Sequence, residues 1–259
     1  MSDQTVERYM NAVIATLTLV RTNVEEAMRL MVREMKGSAE TQQVQLLALR
    51  RYLRLGEARV FKQWAWTPAE AAKHTAETQA LMDEAFEVAK AFEADNPGFQ
   101  LSISKLRDLE RQVHLWCKNQ FVHTAARGLI ADAKSTLAGS AYQPTPTAAS
   151  TQAFRSYLQQ VHVKPEPTSA APGTSDHGQQ HAVDFVVMTG TKLIAGVETS
   201  LIGPQWYNTG FDKKLKRATE KTPAAQRLRR PVLQGPLQHP YEPWHYSLPK
   251  GSASSSGTK

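Results

Sequence analysis

Hydrophobic residues recur every three or four positions from the start of the chain. Val6, Met10, Val13, Leu17, Val20, Val24, Met28 and Met31 form one stripe, and that period predicts a single long amphipathic helix over 4–35. Lys36-Gly37-Ser38 ends it, and Val44, Leu47 and Leu55 mark a second helix over about 40–55. Thr67-Pro68-Ala69-Glu70 offers a capping Thr, a Pro at the first helical position and a Glu three after the cap, which together start a third helix. That helix runs to about Ala94 and stops at the turn cluster Asp95-Asn96-Pro97-Gly98. A fourth helical pattern begins near Ser102, carries Leu106, Leu109, Val113 and Trp116, and continues, bent or interrupted, through Ala138-Gly139. These apolar stripes read as core or helix-partner surface rather than as a cofactor box.

The pattern changes at Ser140–Gln152, SAYQPTPTAASTQ, where Pro and small polar residues predict a linker or exposed loop. Beyond it the helical period fades. His181 to Met188 alternates as a strand does: Ala182, Asp184, Val186 and Met188 share one face, and Val183, Phe185 and Val187 share the other. A carboxylate inside so apolar a strand must be paired or bind a metal, which makes Asp184 conspicuous. Lys192–Val197 predicts a further strand, the Pro-rich stretch 203–240 an irregular excursion, and Gly251–Lys259 a disordered tail. The fold class expected is α+β. An α-helical bundle occupies 1–118, a small antiparallel-sheet domain follows over 119–249, and 250–259 is the tail.

Composition narrows this picture. A 259-residue chain with 41% hydrophobic residues can bury a sizeable core. Cys117 is the single cysteine, so an internal disulfide and a Cys-rich zinc site are both excluded. No apolar run is long enough to span a membrane. The N-terminus MSDQTVERYM lacks the basic and apolar regions of a Sec signal, so the chain is expected to be made in the cytoplasm and to reach any outside target by another route. Residues 1–140 carry 18 Lys and Arg against 17 Asp and Glu, whereas 141–259 carry 13 against 7. Eight of those thirteen cations lie between Lys213 and Arg230. Such a run is either a solvated loop or an attraction for a polyanion such as wall polymer, anionic lipid or nucleic acid. Its lack of interleaved aromatics argues against nucleic acid.

Two short turn-rich blocks hold the candidate chemistry. SAAPGTSDHGQQHAVDF, 169–185, contains His177 and Asp184; PYEPWHYSL, 240–248, contains Glu242 and His245. Two imidazoles, one carboxylate and an open fourth position suit a catalytic zinc, which needs room for the water it activates. The remaining carboxylate can then act as general base. Pro243 keeps Glu242 out of the α region, so Glu242 and His245 converge through turn or extended geometry, not on a helix face. His181 is a rival ligand four residues after His177, but its neighbours read as turn and strand. Asp176 reads as a solvated turn residue, His239 as exposed, and His74, His114, His123 and His162 as surface or core residues. Trp244 reads as a core aromatic beneath the ligands.

These blocks resemble the D-Ala-D-Ala carboxypeptidases and dipeptidases of the vancomycin-resistance type, within the wider lysostaphin and hedgehog group. Ser175, His177, Ala182 and Asp184 match the first zinc-binding block, and Glu242-Pro243-Trp244-His245 matches the closing one. Ala153 to Gln160, AFRSYLQQ, is similar to the family's Tyr-Arg-Ser-Tyr…Gln element. The resemblance covers about 120–248; Gln180 stands where the family has Gly, and the aromatic stretch before the closing block is dim at Tyr207–Phe211. It implies that His177, Asp184 and His245 hold Zn2+, that Glu242 is the catalytic base, and that Arg155 steadies the substrate carbonyl or terminal carboxylate. Ser175, Ser156 and Gln160 would bind substrate. The function implied is a peptidoglycan-directed zinc D,D-carboxypeptidase or D,D-endopeptidase, as in a phage endolysin or an injected effector acting on the cell wall or periplasm. The helical half would then be a docking, wall-binding or loading module toward secretion or injection machinery or a virion component. The rival is an interaction protein that retains the peptidase domain as a binding module.

Overall fold

The computed structural model describes residues 2–57, 68–103, 108–167, 169–175, 177, 181–222, 228 and 242–247, and of 68–74 and 199 the backbone alone. The N-terminal stripe forms two helices, α1 (Asp3–Ala15) and α2 (Arg21–Glu34), instead of one over 4–35. Leu17 and Val20 are still buried, so the apolar stripe continues where the helix does not. The break has a polar cause. Thr16 Oγ1 donates to Val13 O at 2.7 Å, a local bond that competes with the helix ladder. The Thr18 and Leu19 amides then both donate to Glu57 Oε2 at 2.8 Å, which gives the peptide groups between the helices a carboxylate partner. Arg155 completes the knot, donating through Nη1 to Thr16 Oγ1 at 2.9 Å and through Nη2 to Glu57 Oε1 at 3.4 Å.

Helices α3 (Thr41–Leu55), α4 (Pro68–Asp95), α5 (Leu109–Lys118), α6 (Gln120–Leu137) and α7 (Ala148–Gln160) follow. The fourth pattern, expected from Ser102 as a bent or interrupted helix, resolves into a strand, β1 (Gln100–Ile103), then α5 and α6; residues 104–107 lie outside the described set. Asp108 caps α5 by accepting from Arg111 N at 2.7 Å, and Asn119 caps α6 by accepting from Phe121 N at 2.8 Å. Helix α7 corrects the expectation of a linker through Gln152. Its start is a capping box in which Ser150 N donates to Thr147 Oγ1 at 3.2 Å and Thr147 N donates to Ser150 Oγ at 2.9 Å.

Tyr9, Met31, Leu46, Leu47, Trp116 and Phe154 are wholly or almost wholly buried in the core that α1–α3 share with α5–α7. Cys117 belongs to this core, and burial pushes its thiol up to about 12, so it is a packing residue rather than a nucleophile. Arg50 is fully buried in the same core. Its Nε and Nη2 donate to Val161 O at 2.9 and 2.8 Å, and Nη1 donates to Glu166 Oε1 at 3.1 Å. A buried guanidinium is tolerable because it is paired and hydrogen-bonded.

The second core is built on β2 (Ala182–Thr189), the strand expected at 181–188. It pairs antiparallel with β1, with β3 (Lys192–Ala195) and with β4 (His245–Ser247). Helix α8 (Phe211–Glu220) replaces part of the irregular excursion expected over 203–240; most of the remainder, 223–227 and 229–240, and the tail 250–259 lie outside the described residues. Phe211 of α8 packs against Phe92 of α4 and Phe99, with ring centroids 6.2 and 5.0 Å apart. Just before α8, Trp206 donates through Nε1 to Gly196 O at 2.8 Å and packs on Trp244, centroid to centroid 5.8 Å.

Two compact units result: 1–66 with 107–179, and 67–106 with 180–259. The expected linear division into 1–118 and 119–249 is thereby replaced by an interleaved one. Helix α4 and β1 bury Leu81, Val88, Phe92 and Leu101 with the sheet, whereas α5, α6 and α7 bury theirs with the N-terminal helices.

Replacing Arg50 with Ala should lower the stability of the helical unit by about 2–4 kcal/mol, since it opens a cavity and strips Val161 O of its donors; a shifted urea midpoint reads this. Glu57 supplies a pH signature. Burial alone would raise its carboxyl, but the Leu19 and Thr18 amides, the Thr18 hydroxyl and Arg155 hold it below its ordinary value. Its stabilisation is therefore present above the unfolded carboxyl value and lost as pH falls through the depressed one. Glu57→Gln should be less stable than the wild type at pH 7, with the gap closing under acid, as followed by thermal melts across pH.

Candidate metal centre

Strand pairing sets the first two donors side by side. In the β2–β4 register Asp184 lies directly opposite His245, and directly opposed residues in an antiparallel pair project to one face. Their side chains meet, with His245 Nδ1 at 3.0 Å from Asp184 Oδ1. Asp184 is almost completely buried and the His245 side chain is 12% exposed. Strand β2 supplies this environment because it is apolar on both faces, with Val183, Phe185 and Val187 wholly buried.

The turn before β4 fixes Glu242. His245 N donates to Glu242 O at 3.1 Å, and Phe185 N donates to Trp244 O at 3.0 Å. Pro243 and Trp244 are buried, while Glu242 is half-buried at the head of the turn. As expected from Pro243, the pair sits on a turn leading into a strand, not on a helix.

His177 supplies the third donor and is buried. His177, Asp184 and His245 each offer one ligand atom, and these atoms all lie within 4.8 Å of one another, so the group can hold a metal ion. Tetrahedral coordination at zinc-like bond lengths places donors about 3.3–3.6 Å apart. The 3.0 Å separation of His245 and Asp184 is close to that edge. Two imidazoles and one carboxylate leave a fourth place open, so the donor set fits a zinc-type ion and also other divalent metals of similar ligand preference.

The remaining candidates fall in different surroundings. Ser175 Oγ accepts from Gln112 Nε2 on α5. Arg155, Ser156 and Gln160 lie on α7, where Arg155 is tied to Thr16 and Glu57, Ser156 is half-buried and Gln160 is exposed. The rival ligand His181 lies 3.5 Å from Glu77 Oε2 on α4 and is not part of the metal-binding group. His114 pairs with Glu34 at 2.8 Å and His123 with Glu40 at 2.9 Å, as surface-facing helix contacts. His239, Asp176 and Gln180 lie outside the described residues, as does the side chain of His74. Sequence reasoning overlooked Gln112 and Trp206, which touch the segments carrying the site; neither has a spacing signal that singles it out from a helix stripe.

No family model, curated protein or solved structure matches the chain. Among the described residues no helix is long and apolar enough to cross a membrane.

The geometry predicts one tightly held divalent ion per chain. His177→Ala, Asp184→Asn and His245→Ala should each strip it, whereas Glu242→Gln should keep it. Elemental analysis of the dialysed proteins distinguishes the two groups.

Proposed function

We propose that the chain is a zinc peptidase acting on D-Ala-containing peptide bonds in peptidoglycan stems or cross-links. The observation that carries this reading is the convergence of His177, Asp184 and His245 with Glu242 three residues ahead of the last ligand. It is supported by the likeness of both blocks to the D-Ala-D-Ala carboxypeptidase pattern.

Zinc bound there supplies a Lewis acid and makes a water acidic near neutral pH. Glu242 is the carboxylate we assign as general base. It is half-buried, and its carbonyl accepts from the His245 amide at the turn into β4, which ties its backbone to that of a ligand. After taking the proton from the attacking water, Glu242 returns it to the leaving amine as the peptide bond breaks. Asp184, buried on β2, would then serve as the carboxylate ligand beside His177 and His245. We assign Arg155 no catalytic step, because both of its terminal nitrogens already donate to Thr16 and Glu57.

The exposed cations Lys213, Lys216 and Arg217 on α8 suit an anionic wall polymer better than nucleic acid, since no exposed aromatic alternates with them on that helix. We assign the site of action to the cell wall, reached as a lytic enzyme or an injected effector.

Incubating purified muropeptides with the zinc-loaded chain should release either one terminal D-Ala, which marks a carboxypeptidase, or monomers from cross-linked dimers, which marks an endopeptidase. Glu242→Gln should lower turnover by about 10²–10⁴-fold without loss of the ion. A chain that holds zinc yet leaves every muropeptide intact would overturn the peptidase reading in favour of a binding module.

A further inference from the structure

Two of the ligands owe their positions to a strand pair, but His177 arrives on irregular backbone. The segment leading to it, Ala171–Ser175, has no ladder partner among the described residues, and Gly173 sits at φ +82°. Holding such a segment still costs conformational entropy that something must offset. The bonds that do so come from two helices. Gln112 on α5 gives both ends of its amide to the segment: Oε1 accepts from Gly173 N at 2.6 Å, and Nε2 donates to Ser175 Oγ. Tyr52 on α3 donates through its hydroxyl to Pro172 O at 2.9 Å. Within the segment, Thr174 N and Oγ1 both donate to Ala171 O, at 3.0 and 2.6 Å.

The setting of Gln112 makes these bonds informative. It is 7% exposed and shares the buried face of α5 with Leu109, Val113, Trp116 and Cys117. Packing alone would favour an apolar side chain there, because a buried amide destabilises unless its donor and acceptor are both satisfied. Gln112 meets that demand entirely on the two residues, Gly173 and Ser175, that lie four and two positions before His177.

We infer that Gln112 is a positioning residue for the metal ligand His177, assisted by Tyr52. The inference rests on the reading of His177, Asp184 and His245 as a metal centre but not on any particular substrate. Gln112 touches neither the ion nor the substrate; it holds the backbone from which the imidazole projects. In this arrangement the Ser175 hydroxyl is part of the clamp, in place of the substrate contact that the family resemblance implies.

Zinc affinity, measured by competition with a chromophoric chelator, tests this directly. Gln112→Leu keeps the volume and removes both bonds, and it should weaken zinc binding by about tenfold or more. Tyr52→Phe removes one oxygen and should weaken it by a smaller factor. A second readout separates positioning from general stability: the rise in melting temperature on adding zinc to EDTA-treated protein. Positioning shrinks that rise, whereas a merely structural role lowers both melting temperatures and leaves the rise unchanged. Wild-type protein that binds no zinc would sink the metal-centre reading and this inference with it. Wild-type protein that binds zinc, beside a Gln112→Leu protein of equal affinity, would sink this inference alone. If Gln112→Leu does not fold, Tyr52→Phe decides: unchanged affinity and an unchanged rise overturn the clamp.

Discussion

The candidate site depends on one pairing, that of β2 with β4. Asp184 is a nearly buried carboxylate in a strand whose neighbours are Val183 and Phe185, and an uncompensated charge there would strongly destabilise the fold. The antiparallel register answers this by placing His245 opposite it. The same pairing anchors the backbone at Glu242, because the His245 amide donates to Glu242 O and the Phe185 amide donates to Trp244 O. A slip of one residue would send His245 to the other face of the sheet. Trp244 opposes such a slip: it is buried against Trp206, whose indole N–H is fixed to Gly196 O.

Polar contacts of long reach recur throughout the helical unit. Glu57 and Arg155 organise the bend between α1 and α2. Arg50 joins α3 to the end of α7, and Tyr9 donates to Gln143 O and Ser150 Oγ at the approach to α7. Each satisfies backbone groups that the helices leave open at their ends or between them. Hydrophobic stripes supply the bulk of the packing, while these contacts select which turns and bends the chain adopts.

The group that can hold a metal ion was legible in the sequence because its residues lie in two short contiguous blocks, each with its own turn chemistry, and Asp184 stands out against an apolar strand. The start of α4 was legible from Pro68, and β2 from its alternation. The break between α1 and α2 was not, since its cause, Glu57, lies 39 residues from Thr18 and the stripe itself runs on through Leu17 and Val20. Helix α7 was hidden because Ser150 fills the place in the capping box where Glu or Gln usually signals a start. The interleaving of the two units was hidden for a different reason. Nothing local in Leu81, Val88 or Phe92 says that they will pack with residues near 185 and 211 rather than with the helices beside them in the chain. The surroundings of Arg155 were hidden for the same reason as the bend: its guanidinium is engaged by Glu57 and Thr16, which lie 98 and 139 positions away in the chain.

Among the described residues strand β4 spans His245–Ser247. It terminates an excursion that leaves β2 and returns, with Asp184 and His245 separated by 61 positions. A cation gripped by both residues would act as a cross-link across that span, removing loop freedom from the unfolded ensemble much as a covalent staple does. The apo chain would then differ from the loaded one in how firmly β4 is docked as well as in chemistry.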